Sequence, residues 1–173
     1  IVVALARPDT DGFRIATGLR IGDEVTNIAF DDPVRHDAQA TLDELAAAGI
    51  ESAVVSGDRA GPVSAVAGDL GLEWKAELHP DAKLAHIEEL KSAGHHPLMV
   101  GDGINDGPAL AAAHASIAPG SASDVSQQAA DAVFVGERLM PVALAVVAAQ
   151  RTMRVVRQNF GFAIAYNMLA IPL

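Results

Sequence analysis

Met99-Val100-Gly101-Asp102-Gly103-Ile104-Asn105-Asp106-Gly107-Pro108-Ala109-Leu110 is the stretch from which the rest of the chain is read. Its first residues continue Pro97-Leu98 as a short apolar run, the pattern of a buried strand. Pro108 sits where a helix begins, because proline is pre-set for the first helical turn. The string therefore predicts a strand, a turn rich in glycine and acid, and a helix. Asp102 and Asp106 lie four residues apart across that turn. Hard cations such as Mg²⁺ take carboxylate oxygens and leave their other positions to water and phosphate, so the two side chains form a candidate Mg²⁺ pair. Glycines let the backbone come close to a phosphoryl group. Asn105 can donate a hydrogen bond to a phosphate or orient an attacking water. The plainer reading is a simple turn, with Asp106 capping the helix ahead of Pro108.

Two further groups lie upstream. Val54-Val55-Ser56-Gly57-Asp58 is a second apolar run ending in a Gly-Asp turn. There the Ser56 hydroxyl and the backbone N–H groups of the turn can hold phosphoryl oxygens; the alternative is a strand-to-helix cap. Lys83, in His79-Pro80-Asp81-Ala82-Lys83, falls near a helix start and can balance the charge of a phosphoryl group and its carboxylates. The alternative is a solvated surface lysine.

Around these groups, short apolar runs alternate with helical periodicity. Helices are predicted over residues 38–48, 63–70, 81–93, 108–113 and 123–130, and one long helix from Met140 onward. Strands are predicted over residues 50–55, 97–100, 115–118 and 132–135. Such alternation predicts an α/β fold: a parallel sheet with helices on both faces. Ligands bind beyond the carboxyl ends of such strands, where both Gly-Asp turns fall. Residues 1–28 read as short strands and turns, and Asp31-Asp32-Pro33 as an acidic cap opening the next segment.

Half of the 173 residues are hydrophobic, enough for a packed core, and the formal charge of −10 disfavours nucleic acid as a partner. There is no cysteine, which excludes disulfides and thiolate metal sites within these residues. The histidines are scattered, apart from His95-His96 in a polar turn, and Trp74 is expected to pack. Residues 160–173 are apolar but for Tyr166-Asn167, and Arg151, Arg154 and Arg157 precede them. Ile1 reads as part of a strand already under way, so both ends are expected to be cuts in a longer polypeptide.

Hydroxyl, lysine and paired aspartates, in that order at strand ends and helix starts, resemble the haloacid dehalogenase superfamily. The core of that superfamily begins with a nucleophilic Asp on an earlier strand. No such motif lies in these residues, and Asp31-Asp32-Pro33 does not match it. The sequence is closer still to P-type ATPases. It carries their Gly-Asp-Gly-hydrophobic-Asn-Asp-x-Pro-Ala-Leu string at residues 101–110, a Ser-Gly-Asp turn at 56–58, a Pro-x-x-Lys at 80–83 and an Ala-Asp at 130–131. Gly107, where alanine is usual, and Ala118-Pro119-Gly120, where many relatives have Met before the glycine, depart from the pattern. Tyr166-Asn167 is similar to the pair in copper-transporting members, and Asp-Asp-Pro-Val-Arg is similar to pumps that supply copper for cytochrome oxidase assembly.

The resemblance implies an ATP-driven Cu⁺ pump working through an aspartyl phosphate, with Mg²⁺ and ATP at the catalytic site. It implies Asp102 and Asp106 as Mg²⁺ residues, and Ser56, Gly57, Asp58, Lys83 and Asn105 in catalysis. Tyr166 and Asn167 become candidates for the transported ion. It divides the chain into closing strands of a nucleotide-binding domain (1–28), a phosphorylation domain without its nucleophile strand (29–139), and a stalk running into a transmembrane helix (140–173). The implied partners are the other domains of the same polypeptide, the membrane and a copper chaperone. The implied setting is a bacterial inner membrane, with residues 1–150 cytoplasmic by the positive-inside rule. A soluble phosphatase of the same superfamily, or a catalytically incomplete module, is the alternative.

Overall fold

The computed structural model describes residues 3–6, 15–21, 24–30, 34–102 and 104–170. The first strands, β1 (Val3–Ala6), β2 (Ile15–Ile21) and β3 (Glu24–Phe30), form an antiparallel sheet in that order. Ile15 pairs with Phe30 and Ile21 with Glu24, so β2 and β3 match along their full lengths. The segments between these strands, where turns are expected, and the cap expected at 31–33 lie outside the described residues.

The next elements are α1 (Ala38–Ala47), β4 (Ala53–Val55), α2 (Ala60–Leu70), β5 (Glu73–Lys75), α3 (Pro80–Ser92) and β6 (Leu98–Val100). A 3₁₀ turn, Ile104–Asp106, then leads to α4 (Gly107–Ala112), β7 (Ala115–Pro119), α5 (Asp124–Ala129), β8 (Ala132–Phe134) and α6 (Met140–Ala170). The alternation and the parallel pairing are as the sequence predicts. The single sheet is not. There are two parallel sheets, β4-β5 and β6-β7-β8, and among the described residues no strand pairs with the outer edge of β4 or of β6.

Strand β5 was not anticipated. Its three residues, Glu73, Trp74 and Lys75, are all exposed; they sit in a short apolar-polar alternation, Leu72 to Ala76, that pairing with β4 makes a strand. Trp74 is accordingly 42% exposed, and the packing expected of it is only partial.

Two apolar clusters hold the layers together. Ile87 of α3, Met99 of β6, and Ala109 and Leu110 of α4 form one. Ile117 of β7, Phe134 of β8 and Val142 of α6 form the other. Complete burial of a leucine such as Leu110 stabilises a fold by about 2 kcal/mol. Polar bonds fix the strand order. Asp131 Oδ2 accepts from the Ser116 N–H at 2.9 Å and from the Ser116 hydroxyl at 3.1 Å, while the Asp131 N–H donates back to Ser116 Oγ at 3.1 Å. The Ala-Asp motif is thus a clasp between the end of α5 and the start of β7.

Helix α6 runs for 31 residues, but it is buried only at Val142 and Ala143, and every residue from 148 to 170 is exposed. No helix among the described residues is long and apolar enough to cross a membrane.

Candidate active site

Strand β6 ends at Val100, and the chain turns at Gly101, whose N–H donates to the Ile117 carbonyl at 3.3 Å. The 3₁₀ turn then folds Asp106 back over that glycine. A Cβ on Gly101 would lie 3.0 Å from Asp106 Cβ and 3.1 Å from its Oδ2, so only glycine leaves the carboxylate this position. Asp106 is buried at 9% exposure. It is held from the other side by Lys83, whose Nζ donates to Oδ1 at 2.7 Å. The two side chains are 11% and 12% exposed, so this charge-assisted bond is largely shielded from bulk water. Lys83 is brought there by the first turn of α3, which begins at Pro80.

Asp102 behaves differently. It is exposed, and among the described residues its carboxylate takes no hydrogen bond or ion pair. Its backbone is anchored, because its carbonyl accepts from the Ser123 N–H at 3.3 Å. Asn105 is also exposed. Beside this turn lies a cavity of about 220 Å³ lined by Arg35, Val100, Gly101, Asp102, Pro119, Phe134 and Leu139. Ser56, Lys83 and Asp106 do not line it.

The Ser56 turn closes on itself. The Ser56 hydroxyl donates to Asp58 Oδ2 at 3.0 Å and accepts from the Asp58 N–H at 3.1 Å. Backbone bonds join this turn to the segment leading into α3. The Ser56 N–H donates to the Lys75 carbonyl at 2.9 Å, the Leu78 N–H to the Ser56 carbonyl at 3.0 Å, and the Glu77 N–H to the Asp58 carbonyl at 2.8 Å. Glu77 takes a left-handed conformation at φ 56°, uncommon for a residue with a side chain. Gly57 is close to this segment too, since a Cβ there would meet the Leu78 carbonyl at 3.3 Å.

Of the residues singled out from sequence, the structure therefore joins Lys83, Asp106 and the Gly101-Asp102 turn directly. Ser56, Gly57 and Asp58 are tied by backbone to the segment that leads to Lys83, and the Ser56 side chain turns to Asp58. Tyr166 and Asn167 lie on exposed α6, where the Asn167 amide donates to the Ala163 carbonyl at 2.9 Å. Sequence reasoning missed Arg35 on the cavity beside Asp102; the signal was its place in Asp-Asp-Pro-Val-Arg. It also missed the contact that makes Gly101 necessary, which only the fold discloses.

Two unengaged oxygens on Asp102, with a second carboxylate a turn away, suit a hard divalent cation that keeps water and phosphate as its other ligands. Among the described residues no three carboxylate or histidine side chains converge, so a cation here would depend on such outside ligands.

The nitrogen fixation protein FixI of Rhizobium leguminosarum bv. viciae is 46% identical over 153 residues, which cover 88% of this chain and 20% of that protein. The copper-transporting ATPase HMA5 of Oryza sativa subsp. japonica is 37% identical, over 84% of this chain and 15% of its own length. Among solved structures, a zinc-transporting PIB-type ATPase in its E2.Pi state superposes with a TM-score of 0.75 at 34% identity, covering 89% of this chain and 26% of that one. The chain thus spans about a fifth of the length of curated relatives such as FixI. The profile of the haloacid dehalogenase-like hydrolases matches residues 4–114, and with the site geometry in agreement the chain belongs to the haloacid dehalogenase-like hydrolase family.

Proposed function

We propose that this chain is the phosphorylation-domain part of an ATP-driven heavy-metal pump that works through an aspartyl phosphate and carries Cu⁺. The observation that carries the reading is the Lys83–Asp106 pair, packed onto Gly101 beside an unengaged Asp102 at the carboxyl end of β6. Relatives whose names state ATPase activity and copper transport support it.

In this reading residues 1–28 close a nucleotide-binding domain, 29–139 form the phosphorylation domain, and 140–173 form a stalk and the start of a membrane span. The edges of β4 and β6, unpaired among the described residues, support a further strand that carries the phosphorylated Asp. A parallel strand in that place would end between Ser56 and Gly101. Ser56 and the Gly57 and Asp58 N–H groups would hold phosphoryl oxygens, once the hydroxyl leaves Asp58. Lys83 would offset the charge gathered on Asp106 and the transferred group, and Asn105 would orient the attacking water. Asp102 and Asp106 would hold Mg²⁺, which supplies charge neutralisation to the phosphate when bound. Positioning and charge balance are the main demands of phosphoryl transfer.

The Tyr166-Asn167 pair supports Cu⁺, since polar groups in an apolar helix are costly in lipid without a partner. A zinc cargo is the second reading, favoured by the structural similarity to a zinc-transporting ATPase. The whole reading places residues 1–150 on the cytoplasmic face, with a copper chaperone as donor.

The test is labelling of the full-length protein with γ-³²P-ATP. An acid-stable, hydroxylamine-sensitive phosphoenzyme is expected, and it should vanish in Asp102→Asn. Normal labelling of that variant would overturn the Mg²⁺ assignment. Stimulation of ATP hydrolysis by Zn²⁺ but not Cu⁺ would overturn the copper assignment.

A further inference from the structure

Asp37 stands immediately ahead of α1, where an aspartate ordinarily caps its own helix by accepting an N–H from the first turn. It makes no such side-chain bond. Its Oδ2 instead accepts the N–H of Met140, 103 residues away, at 2.9 Å. Asp37 therefore caps α6, the longest helix of the chain. Its negative charge also lies at the positive end of that helix's dipole. Its other oxygen, Oδ1, is buried with no hydrogen-bond partner among the described residues. Asp37 as a whole is only half-buried, yet one of its oxygens is shut off from solvent, and an unmet acceptor costs free energy that a fully exposed cap would not.

The neighbouring contacts point the same way. Arg35 Nη1 donates to the Glu137 carbonyl, just ahead of α6. At the other end of α1, Gln150 Nε2 donates from α6 to the Ala48 carbonyl at 3.0 Å. Helix α1 is thus fastened to α6 at both ends, and α6 is buried only along this stretch. Arg35 also lines the cavity that Asp102 borders. Residues 35–37 therefore touch the surroundings of the catalytic turn on one side and the root of α6 on the other. Burial raises the Asp37 carboxyl's proton affinity, but the N–H groups of Met140, Leu139 and its own residue, with His36, lower it further in sum. The net direction is down, as expected of a carboxylate held in its charged form.

We propose that Asp37 is a positioning residue that couples the phosphorylation site to α6, through its cap on Met140, so that movement at the Asp102 turn is passed to the long helix by residues 35–37. This rests on the pump reading above.

The experiment uses the full-length protein and measures phosphoenzyme level and metal transported per ATP hydrolysed. Asp37→Ala is expected to label within about twofold of the parent yet to lose about fivefold or more in transport per ATP, the lower range of allosteric coupling. Asp37→Asn keeps an acceptor oxygen at the same reach and is expected to restore most of that loss. Unchanged transport per ATP in Asp37→Ala would overturn the proposal. So would failure of Asp37→Asn to restore it, or labelling of Asp37→Ala as low as in Lys83→Ala, which would place its action at the site. If Asp37→Ala does not accumulate, Gln150→Ala at the far fastening decides. A loss of about twofold in transport per ATP supports the proposal and an unchanged ratio refutes it. A parent protein that never labels would bring down the pump reading itself, a result distinguishable from all of these.

Discussion

Ser56-Gly57-Asp58 and Gly101-Asp102 are both Gly-Asp turns at the carboxyl end of a parallel strand, and they have been built in opposite ways. The Ser56 turn satisfies itself: hydroxyl and carboxylate bond each other within three residues, in the open. The Gly101 turn is satisfied from afar. Its acid partner Asp106 is buried, pressed onto the glycine and neutralised by Lys83, 23 residues upstream. A self-satisfied turn can release its hydroxyl to a ligand at little cost. A turn closed by tertiary contacts is fixed before any ligand arrives. In the proposed function the first would respond to a phosphoryl group and the second would be ready for one.

That contrast can be broken by mutation. The largest effect is expected from Lys83→Met. It removes the cation that faces a mostly buried carboxylate, costing about 3 kcal/mol, and phosphoenzyme labelling should fall by about a hundredfold or more. Urea unfolding and labelling measure the two losses; a stability change near zero would show that the pair is not shielded as described.

Next comes Gly101→Ala. The added methyl meets Asp106 at 3.0–3.2 Å and must displace it, a cost of about 2 kcal/mol by overpacking. The matched change Gly57→Ala meets a single carbonyl at 3.3 Å and should cost less than half as much. Equal losses at the two glycines would erase the distinction between the turns.

Ser56→Ala removes only local bonds at an open site. A loss of about 0.5–1 kcal/mol in stability is expected, with labelling down about tenfold because the hydroxyl proposed to hold the phosphoryl group is gone. The smallest effect is Gly107→Ala. A Cβ there would meet only Val125 Cγ1, at an ordinary 3.5 Å, and the backbone is not left-handed. Alanine at a helix start should raise stability by about 0.5 kcal/mol and leave labelling unchanged.

How much of this could be read in the sequence differs from element to element. Strands such as β6 and β7, and helices such as α3, announce themselves because apolar residues recur at the right period and Pro or Gly marks their ends. The closeness of Lys83 and Asp106 beside the Asp102 turn was legible because each falls at a strand end or helix start, where an α/β fold gathers side chains. Strand β5 was overlooked: Leu72 to Ala76 alternates apolar and polar, but the run is short, and only the pairing with Val54 and its neighbours sets it as a strand. The division into two sheets was also hidden, because periodicity reports which segments are strands and not which of them lie side by side. Asp37 was not singled out at all; its bond to Met140, 103 residues away, is a property of the folded chain alone.

The margins of β4 and β6, which no strand pairs with among the described residues, bear on handling as well as chemistry. Each offers three residues of backbone donors and acceptors to any extended segment that comes near, and such margins template association between copies. Concentrated solutions of this chain should therefore aggregate strand to strand, more readily than through the charged helical surface. A short synthetic peptide of high β-propensity, supplied in excess, should suppress that aggregation by occupying the slots first.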